Sequence, residues 1–175
     1  MKKILGFAGS TSSTSINKEL VKFTGLKLKS VHFDLIDLND YSMPIYSSDE
    51  EKNGIPKNAQ KLSDLLDNYH GFIISLAEHN GSYAAAFKNI FDWISRINKK
   101  VFRDRPLLLM ATSPGGRGGK TVLEAASTSF PHMGAKEVTM FSLPSFYDNF
   151  KNGELLHEEI AAQLKILVKD FEGKV

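Results

Sequence analysis

The sequence predicts an α/β fold in which a five-stranded parallel sheet carries helices on both faces. Short, nearly continuous apolar segments, typical of strands covered on both sides, alternate with longer stretches where apolar residues recur every three or four positions. Such alternation implies helical crossovers and therefore parallel strands. The predicted central strands are 4–8, 71–77 and 106–111, whereas the more mixed segments 31–35 and 137–141 suit positions nearer the edges.

The helical stretches and the strand order follow from the same patterns. Apolar residues at helical spacing are Leu62, Leu65, Leu66 and Tyr69, then Phe87, Ile90, Ile94 and Ile97, then Leu156, Ile160, Leu164, Leu167 and Phe171. Five strands, with edge character in the second and fifth, favour the flavodoxin-like order 2-1-3-4-5 over a six-stranded dinucleotide fold. Ligands of such sheets bind beyond the carboxyl ends of the strands, so the loops after residues 8, 77 and 112 form the candidate site.

Length and composition limit the possible classes of function. The 175 residues suit a single domain, 1–175, and the 42% hydrophobic and 24% charged content is that of a globular protein. A net charge of +2 without a long basic run argues against a nucleic-acid partner. Because the chain has no cysteine, redox chemistry would need a bound cofactor.

Targeting and metal-binding signals are weak. No apolar run approaches the ~18 residues of a membrane span, and the apolar stretch after Met1 is too short for a signal peptide, so we expect a cytoplasmic protein without a membrane partner. The five histidines stand singly, without the spacing of a metal site, so we expect no metal.

The first candidate loop is rich in hydroxyl groups. Six consecutive serines and threonines, Ser10 to Ser15, open a predicted helix, and hydroxyls beside unpaired N–H groups can bind an anion. The simpler alternative, that Thr14 or Ser15 only caps the helix, stays open. The Gly-x-Gly-x-x-Gly pattern of pyrophosphate sites is absent, so a terminal phosphate suits this loop better.

The other two candidate loops differ in character. Segment 77–83 contains Glu78 and His79, and segment 113–121 holds four glycines within five positions. Closely spaced glycines indicate backbone N–H groups that a ligand approaches, although a tight turn alone remains possible. A triphosphate-binding P-loop is excluded, because its first glycine would fall on Pro114.

Together the three loops resemble the NADPH-dependent FMN reductase family, flavodoxin-like flavoproteins that include quinone, azo-dye and chromate reductases. The resemblance rests on Gly9-Ser10 with Ser15-Ile16-Asn17, on Glu78 to Tyr83 with Lys88-Asn89 and Asp92-Trp93, and on Ser113 to Gly119. It implies an enzyme that passes hydride from NADPH or NADH to bound FMN and then to a quinone, azo compound, flavin or similar small acceptor. The alternatives are a flavodoxin-like electron carrier and an FMN-free binding module.

The resemblance also assigns cofactor-binding residues, with no catalytic side chain besides the flavin. The FMN phosphate is expected at Ser10, Ser12, Ser15, Ile16 and Asn17, and the isoalloxazine ring between Glu78, His79, Asn80 and Gly81 on one side and Ser113, Gly115, Gly116 and Arg117 on the other. Arg117 is either a contact for NADPH or flavin, or a solvated loop arginine. Three positions depart from the family: Ser12 replaces a common arginine, Ala77 a proline and His79 a tyrosine.

A homodimer or homotetramer is also expected. Phe91 and Trp93 lie off the apolar face of the helix that contains Phe87 and Ile90, so at least one would point outward in a monomer. The alternative, that the loop 39–54 covers them, stays open. Family members commonly pair through this helix, which makes Tyr83 and Phe102 candidates for the neighbouring site.

Overall fold

Five parallel strands form the main sheet of the computed structural model, which describes residues 1–175. In chain order the strands are β1 (Lys3–Gly9), β2 (His32–Leu35), β3 (Gly71–Leu76), β4 (Glu78–His79), β5 (Ser82–Tyr83), β6 (Arg105–Thr112), β7 (Ala135–Leu143), β8 (Phe150–Lys151) and β9 (Glu154–Leu155). The main sheet has the order β2-β1-β3-β6-β7, while β4 with β5 and β8 with β9 form two small hairpins. The predicted order 2-1-3-4-5 is therefore confirmed, with strand ends shifted by a few residues.

Seven α-helices flank the sheet. They are α1 (Ile16–Gly25), α2 (Ser48–Glu51), α3 (Lys57–Leu66), α4 (Ala85–Ile97), α5 (Lys120–Ser129), α6 (Phe146–Asn149) and α7 (Glu158–Lys174), with 3₁₀ turns at Leu38–Tyr41 and Phe130–Met133. No helix combines the length and apolar character that crossing a membrane requires.

The two faces of the sheet are covered by different helices. Residues of α3, α4 and α5 pack on one face against Leu5, Phe72 and Leu107, and residues of α1 and α7 pack on the other against Ile4 and Ile73. Neighbouring strand residues thus point into opposite cores, which explains why the central strands are apolar almost throughout.

The loop that follows β2 covers α4, contrary to the expected outward side chain. Trp93 is 0% exposed, and its indole N–H donates to the carbonyl of Pro44 at 2.8 Å. The ring of Tyr46 packs edge-on against that indole, with centroids 5.1 Å apart. Phe91 is half-buried against Phe87. The structure therefore supports the alternative, in which the loop 39–54 covers these side chains. The argument for an oligomer from an outward-pointing Phe91 or Trp93 is wrong.

The expectation that Phe102 contributes to a neighbouring subunit's site is also wrong. Its side chain is 3% exposed and lies in the chain's own core, where its ring centroid is 4.7 Å from that of Phe130. It is therefore not placed to complete a neighbouring subunit's site, whereas Tyr83 is only half-buried.

Candidate functional site at the carboxyl edge of the sheet

The three candidate loops leave adjacent strands at the same edge of the sheet. Gly9 at the end of β1 pairs with Leu76 of β3, and Leu76 pairs in turn with Ala111 of β6. Neighbouring strands lie ~4.8 Å apart, so the hydroxyl-rich loop, the segment after β3 and the glycine-rich loop begin side by side. The sequence-predicted site residues are thus brought to one edge.

The hydroxyl-rich loop combines a helix cap with unpaired donors. The Ser15 hydroxyl accepts the N–H of Lys18 at 3.2 Å, so Ser15 is the N-cap of α1. The N–H groups of Ile16 and Asn17, in the first turn, have no acceptor within the helix. Ser10 and Ser12 add hydroxyls that are half-buried and exposed, respectively. Capping and anion binding are therefore compatible here, since the Ser15 hydroxyl proton and the backbone N–H groups remain available.

A short segment after β2, which sequence reasoning missed, supports this loop. The Asn39 amide donates to the carbonyl of Thr11 at 3.2 Å, and the Asp37 carboxylate accepts from the Asn39 amide at 2.8 Å. Asp37 also pairs with Lys18, and the hydrogen bond from Lys18 holds the pKa of Asp37 below its usual value. The lysine in the first turn of α1 is thus already neutralised by a carboxylate.

Asn17 uses its side chain inside the protein. The residue is 3% exposed, and its amide oxygen accepts from the Ser75 hydroxyl at 2.6 Å and from the N–H of Thr112 at 3.0 Å. Its amide nitrogen donates to the carbonyl of Thr112 at 3.2 Å. The Asn17 amide is therefore engaged with β3 and β6, while its backbone N–H, which has no acceptor within α1, stays available to a phosphate.

The segment after β3 is a hairpin and not an irregular loop. Asn80 and Gly81 have φ angles of 52° and 74°, as a two-residue type I′ turn requires, and join β4 to β5. The Glu78 carboxylate accepts the N–H of Val122 at the start of α5 at 2.9 Å. The Tyr83 hydroxyl lies 3.2 Å from the hydroxyl of Ser129 at the other end of α5. The hairpin is thus fixed along α5 and its tip, from His79 to Gly81, is exposed.

The four glycines of the third loop divide into two pairs. Gly118 and Gly119 have φ angles of 59° and 72° and are buried; a Cβ on Gly118 would lie 2.5 Å from the Ser142 hydroxyl oxygen, and one on Gly119 2.6 Å from the Ala111 Cβ. Gly115 and Gly116 are exposed, and no atom lies within 4 Å of a Cβ built on either. The first pair serves packing and the second leaves open backbone.

The glycine-rich loop is held by the carbonyl of Gly115. This oxygen accepts from the N–H of Ser145 at 3.0 Å, from that of Gly118 at 3.3 Å and from the Ser113 hydroxyl at 3.1 Å. The N–H groups of Gly115 and Gly116 donate to no group of the protein. Arg117 is exposed and donates to the Thr121 hydroxyl at 2.7 Å, which matches the solvated-arginine alternative.

The donors at this edge suit a phosphorylated, flat, electron-accepting ligand such as FMN. Hydroxyls and unpaired N–H groups gather at the start of α1, where the helix dipole favours an anion. The open backbone of Gly115 and Gly116 and the exposed hairpin tip allow close approach of a ring. The carboxylate of Glu78 is used in capping α5, so the site offers no free acid–base pair from this residue.

Comparison with known proteins agrees with this chemistry. The sequence profile described as NADPH-dependent FMN reductase matches residues 2–148. The chain belongs to this family. Membership confirms the resemblance drawn from the three loops, together with the enzyme class and the cofactors FMN and NAD(P)H.

Several known proteins are similar to this chain over much of its length. An NAD(P)H-dependent FMN reductase of Pseudomonas aeruginosa is 28% identical over 117 residues, which is 66% of this chain but only 62% of that protein. The NADH:(hydroxy)cinnamate reductase subunit CrdA of Vibrio ruber is 22% identical over 175 residues, covering 95% of this chain and 84% of its own. A solved structure, the NAD(P)H:(acceptor) oxidoreductase FerB of Paracoccus denitrificans, superposes with a TM-score of 0.79 over 99% of this chain and 97% of its own, at 23% identity, and so shows the shared fold.

Proposed function

We propose that this protein is an NAD(P)H-dependent FMN oxidoreductase that reduces a small organic acceptor such as a quinone, an azo compound or a free flavin. Family membership supports the activity. The observation that carries the proposal is the combination of unpaired donors at the start of α1 with the open backbone of Gly115 and Gly116, two strands away at the same edge.

The hydroxyl-rich loop is the proposed phosphate site. The hydroxyls of Ser10, Ser12 and Ser15 and the N–H groups of Ile16 and Asn17 would donate to the phosphate oxygens. No arginine stands in this loop, and Lys18 is paired with Asp37. Neutralisation of the phosphate therefore depends on the helix dipole and on neutral donors, which are weaker than a charged partner.

The hairpin tip and the glycine-rich loop are proposed to hold the ring. His79, Asn80 and Gly81 are exposed on one side, and Ser113, Gly115, Gly116 and Arg117 border the other. The unpaired N–H groups of Gly115 and Gly116 would donate to ring heteroatoms and thus stabilise negative charge without an ionised side chain. Glu78 contributes by fixing the hairpin to α5.

The chemistry of hydride transfer from NAD(P)H to the acceptor would be that of bound FMN. The protein's task is therefore to bind, orient and expose the ring. The exposed tip of the hairpin leaves room for a nicotinamide donor and for the acceptor, which would occupy the same place in turn. His79 places an imidazole at this exposed tip. Arg117 could release Thr121 to contact a donor phosphate.

The proposal extends to cellular location and assembly. We infer a cytoplasmic enzyme from its requirement for NAD(P)H. A homodimer or homotetramer is proposed from family resemblance alone, because the aromatic residues of α4 are covered by the chain itself.

The decisive experiment is the visible spectrum of the purified protein before and after anaerobic addition of NADPH. We expect a yellow protein whose flavin bleaches with NADPH and recovers when a quinone is added. Flavin that NADPH does not bleach would identify an electron carrier, and a protein that stays colourless after incubation with FMN would identify a binding module without this cofactor.

Steady-state kinetics should be ping-pong, because the donor and the acceptor would use one site in turn. Intersecting double-reciprocal lines would contradict this alternating use.

A further inference from the structure

At the end of β6, the Asn17 side chain takes the place that one more residue of β3 would have in the sheet. Pairing between β3 and β6 ends at Leu76 and Ala111, so Thr112 extends one residue beyond its neighbour on β3. Both backbone groups of Thr112 bond to the Asn17 amide, its N–H at 3.0 Å and its carbonyl at 3.2 Å. A carboxamide offers one acceptor and a donor on the same plane, as a peptide group does, and so continues the sheet by one residue.

The hydrogen bonds of Asn17 connect α1, β3 and β6, the elements next to the three candidate loops. Asn17 lies in the first turn of α1, directly after the hydroxyl-rich loop, and Thr112 directly precedes Ser113 of the glycine-rich loop. The hydroxyl of Ser75, near the end of β3, donates to the same amide oxygen at 2.6 Å and fixes its orientation. Ser75 is 0% and Thr112 1% exposed, so neither can touch a ligand through its side chain.

We propose that Asn17 is a positioning residue that sets the glycine-rich loop relative to the hydroxyl-rich loop, so that the ring and the phosphate of one FMN are held together. This inference rests on the proposed function. Its physical basis is that a buried polar cluster is strongly favoured only when every member is paired, which gives the loops one relative position. Without the amide, Thr112 would keep two buried polar groups without partners, and the loop that follows it would shift to reach water.

Binding of two flavins separates this role from direct contact with the phosphate. FMN and riboflavin differ only in the phosphate, so a phosphate ligand affects one and a positioning residue affects both. Asn17→Ala should weaken FMN and riboflavin by a similar factor of about ten, the effect of one or two lost hydrogen bonds. Ser10→Ala, in the hydroxyl-rich loop but outside the buried cluster, is the matched control and should weaken FMN alone.

Fluorescence titration of each flavin with wild type and both variants measures these factors. Weakened FMN binding with unchanged riboflavin binding by Asn17→Ala would overturn the proposal and make Asn17 a phosphate ligand. If Asn17→Ala does not fold, Ser75→Ala is used instead, because its hydroxyl orients the amide and cannot reach a ligand. Equal weakening of both flavins by Ser75→Ala supports the proposal, and unchanged affinity for both overturns it.

Amide hydrogen exchange in the flavin-free protein tests the same idea without any ligand. The N–H groups of Ser145 and Phe146 donate to the carbonyls of Gly115 and Ser113, both at 3.0 Å, and so report the position of the glycine-rich loop. Asn17→Ala should speed their exchange about tenfold, whereas Ser10→Ala should leave it unchanged. Unchanged exchange in Asn17→Ala overturns the positioning role, whereas a wild type that binds no flavin overturns the proposed function instead.

Discussion

Glu78 shows how a carboxylate at a ligand-binding edge can serve the fold. The N-cap of α5 is Gly119, which has no side chain to accept a hydrogen bond, and the Glu78 carboxylate accepts the N–H of Val122 from another segment. A negative charge at this end also interacts favourably with the helix dipole. One side chain thus caps α5 and fixes the hairpin whose tip borders the proposed ring site.

Replacing Glu78 should lower stability. We expect Glu78→Ala to reduce the free energy of unfolding by about 1 kcal/mol, the usual cost of losing a cap, and Glu78→Gln to cost less because it keeps an acceptor. Urea unfolding of the flavin-free variants at neutral pH measures both. The control is His79→Ala, an exposed neighbour. Equal stability of Glu78→Ala and His79→Ala would show that the cap contributes nothing.

Ser12 is the position where a charge is missing. It is exposed in the hydroxyl-rich loop, and no cationic residue stands among residues 10–15. Ser12→Arg should strengthen FMN binding about tenfold or more, since hydrogen bonds to a charged partner contribute roughly 1.5–3 kcal/mol. Riboflavin affinity should stay the same. Fluorescence titration checks both ligands, and a gain for riboflavin as large as that for FMN would contradict a phosphate contact.

At the scale of elements, side-chain hydrogen bonds connect the edge strand β2 to the turn between α3 and β3. The Tyr69 hydroxyl donates to the Asp34 carboxylate at 2.9 Å, and the His32 ring nitrogen lies 2.9 Å from its other oxygen. Burial opposes ionisation of Asp34, but the hydrogen bonds from Tyr69 and His32 outweigh it and lower its pKa. Burial, together with this hydrogen bond, raises the pKa of Tyr69 to about 12.

The stability of this network should depend on pH in a defined direction. Because the Asp34 pKa is lowered on folding, its contribution is present above the unfolded value near 3.8 and is lost as the pH falls through the folded value. The Tyr69 contribution is intact below pH 10 and is lost between pH 10 and about 12. Tyr69→Phe should cost about 1 kcal/mol at pH 7, and this cost should shrink as the pH falls below 3.8 and Asp34 becomes protonated. Urea unfolding at pH 7 and at a series of pH values below 3.8 tests this, and a cost that stays constant throughout would exclude the charged Asp34 carboxylate as the acceptor.

The loop that covers α4 is the second element-scale feature. Asn89 of α4 accepts the N–H of Tyr46 at 2.8 Å and donates to the carbonyl of Pro44 at 3.0 Å, so one amide binds the loop twice. Trp93, the only tryptophan of the chain, lies beneath this loop. Its fluorescence therefore reports whether the loop is closed.

Asn89→Ala should open the loop. We expect red-shifted tryptophan emission and stronger quenching by acrylamide than in wild type, because both bonds to the loop are lost. Lys88→Ala, which removes only an exposed ion pair with Asp92, is the control and should leave the emission unchanged. Unchanged quenching in Asn89→Ala would mean that packing of Tyr46 on Trp93 suffices to close the loop.

The sheet order and the meeting of the three candidate loops at one edge were predictable because local patterns encode them. Strand and helix periodicity gave the order of elements, and the carboxyl ends of β1, β3 and β6 necessarily meet at one edge. The roles of individual side chains were not predictable in the same way. The bond between Asn17 and Thr112 joins residues 95 positions apart, and that between Trp93 and Pro44 joins residues 49 apart. Such pairings depend on the finished packing, although the Asn80-Gly81 turn had a recognisable local signal.

At the scale of the whole molecule, the proposed assembly needs a surface through which copies of the chain would join. The covering loop buries Trp93 but presents Ile45, which is 79% exposed, on its outside. A large, exposed apolar side chain on a loop that is itself held in place is the kind of residue that a protein interface buries. An interface near α4 would therefore use the loop and not the aromatic face of the helix.

Light scattering during size exclusion tests this assembly. We expect the wild type to elute with at least twice the 19.5 kDa of one chain, and Ile45→Asp to shift toward that single-chain mass, because a buried, unpaired carboxylate is strongly unfavourable in an interface. Ile166→Asp on α7 is the matched control: this side chain is also exposed, at 67%, but lies on the helix that covers the opposite face of the sheet, so its variant should keep the wild-type mass. A wild type at 19.5 kDa whose FMN is reduced by NADPH would show that each chain forms a complete site alone.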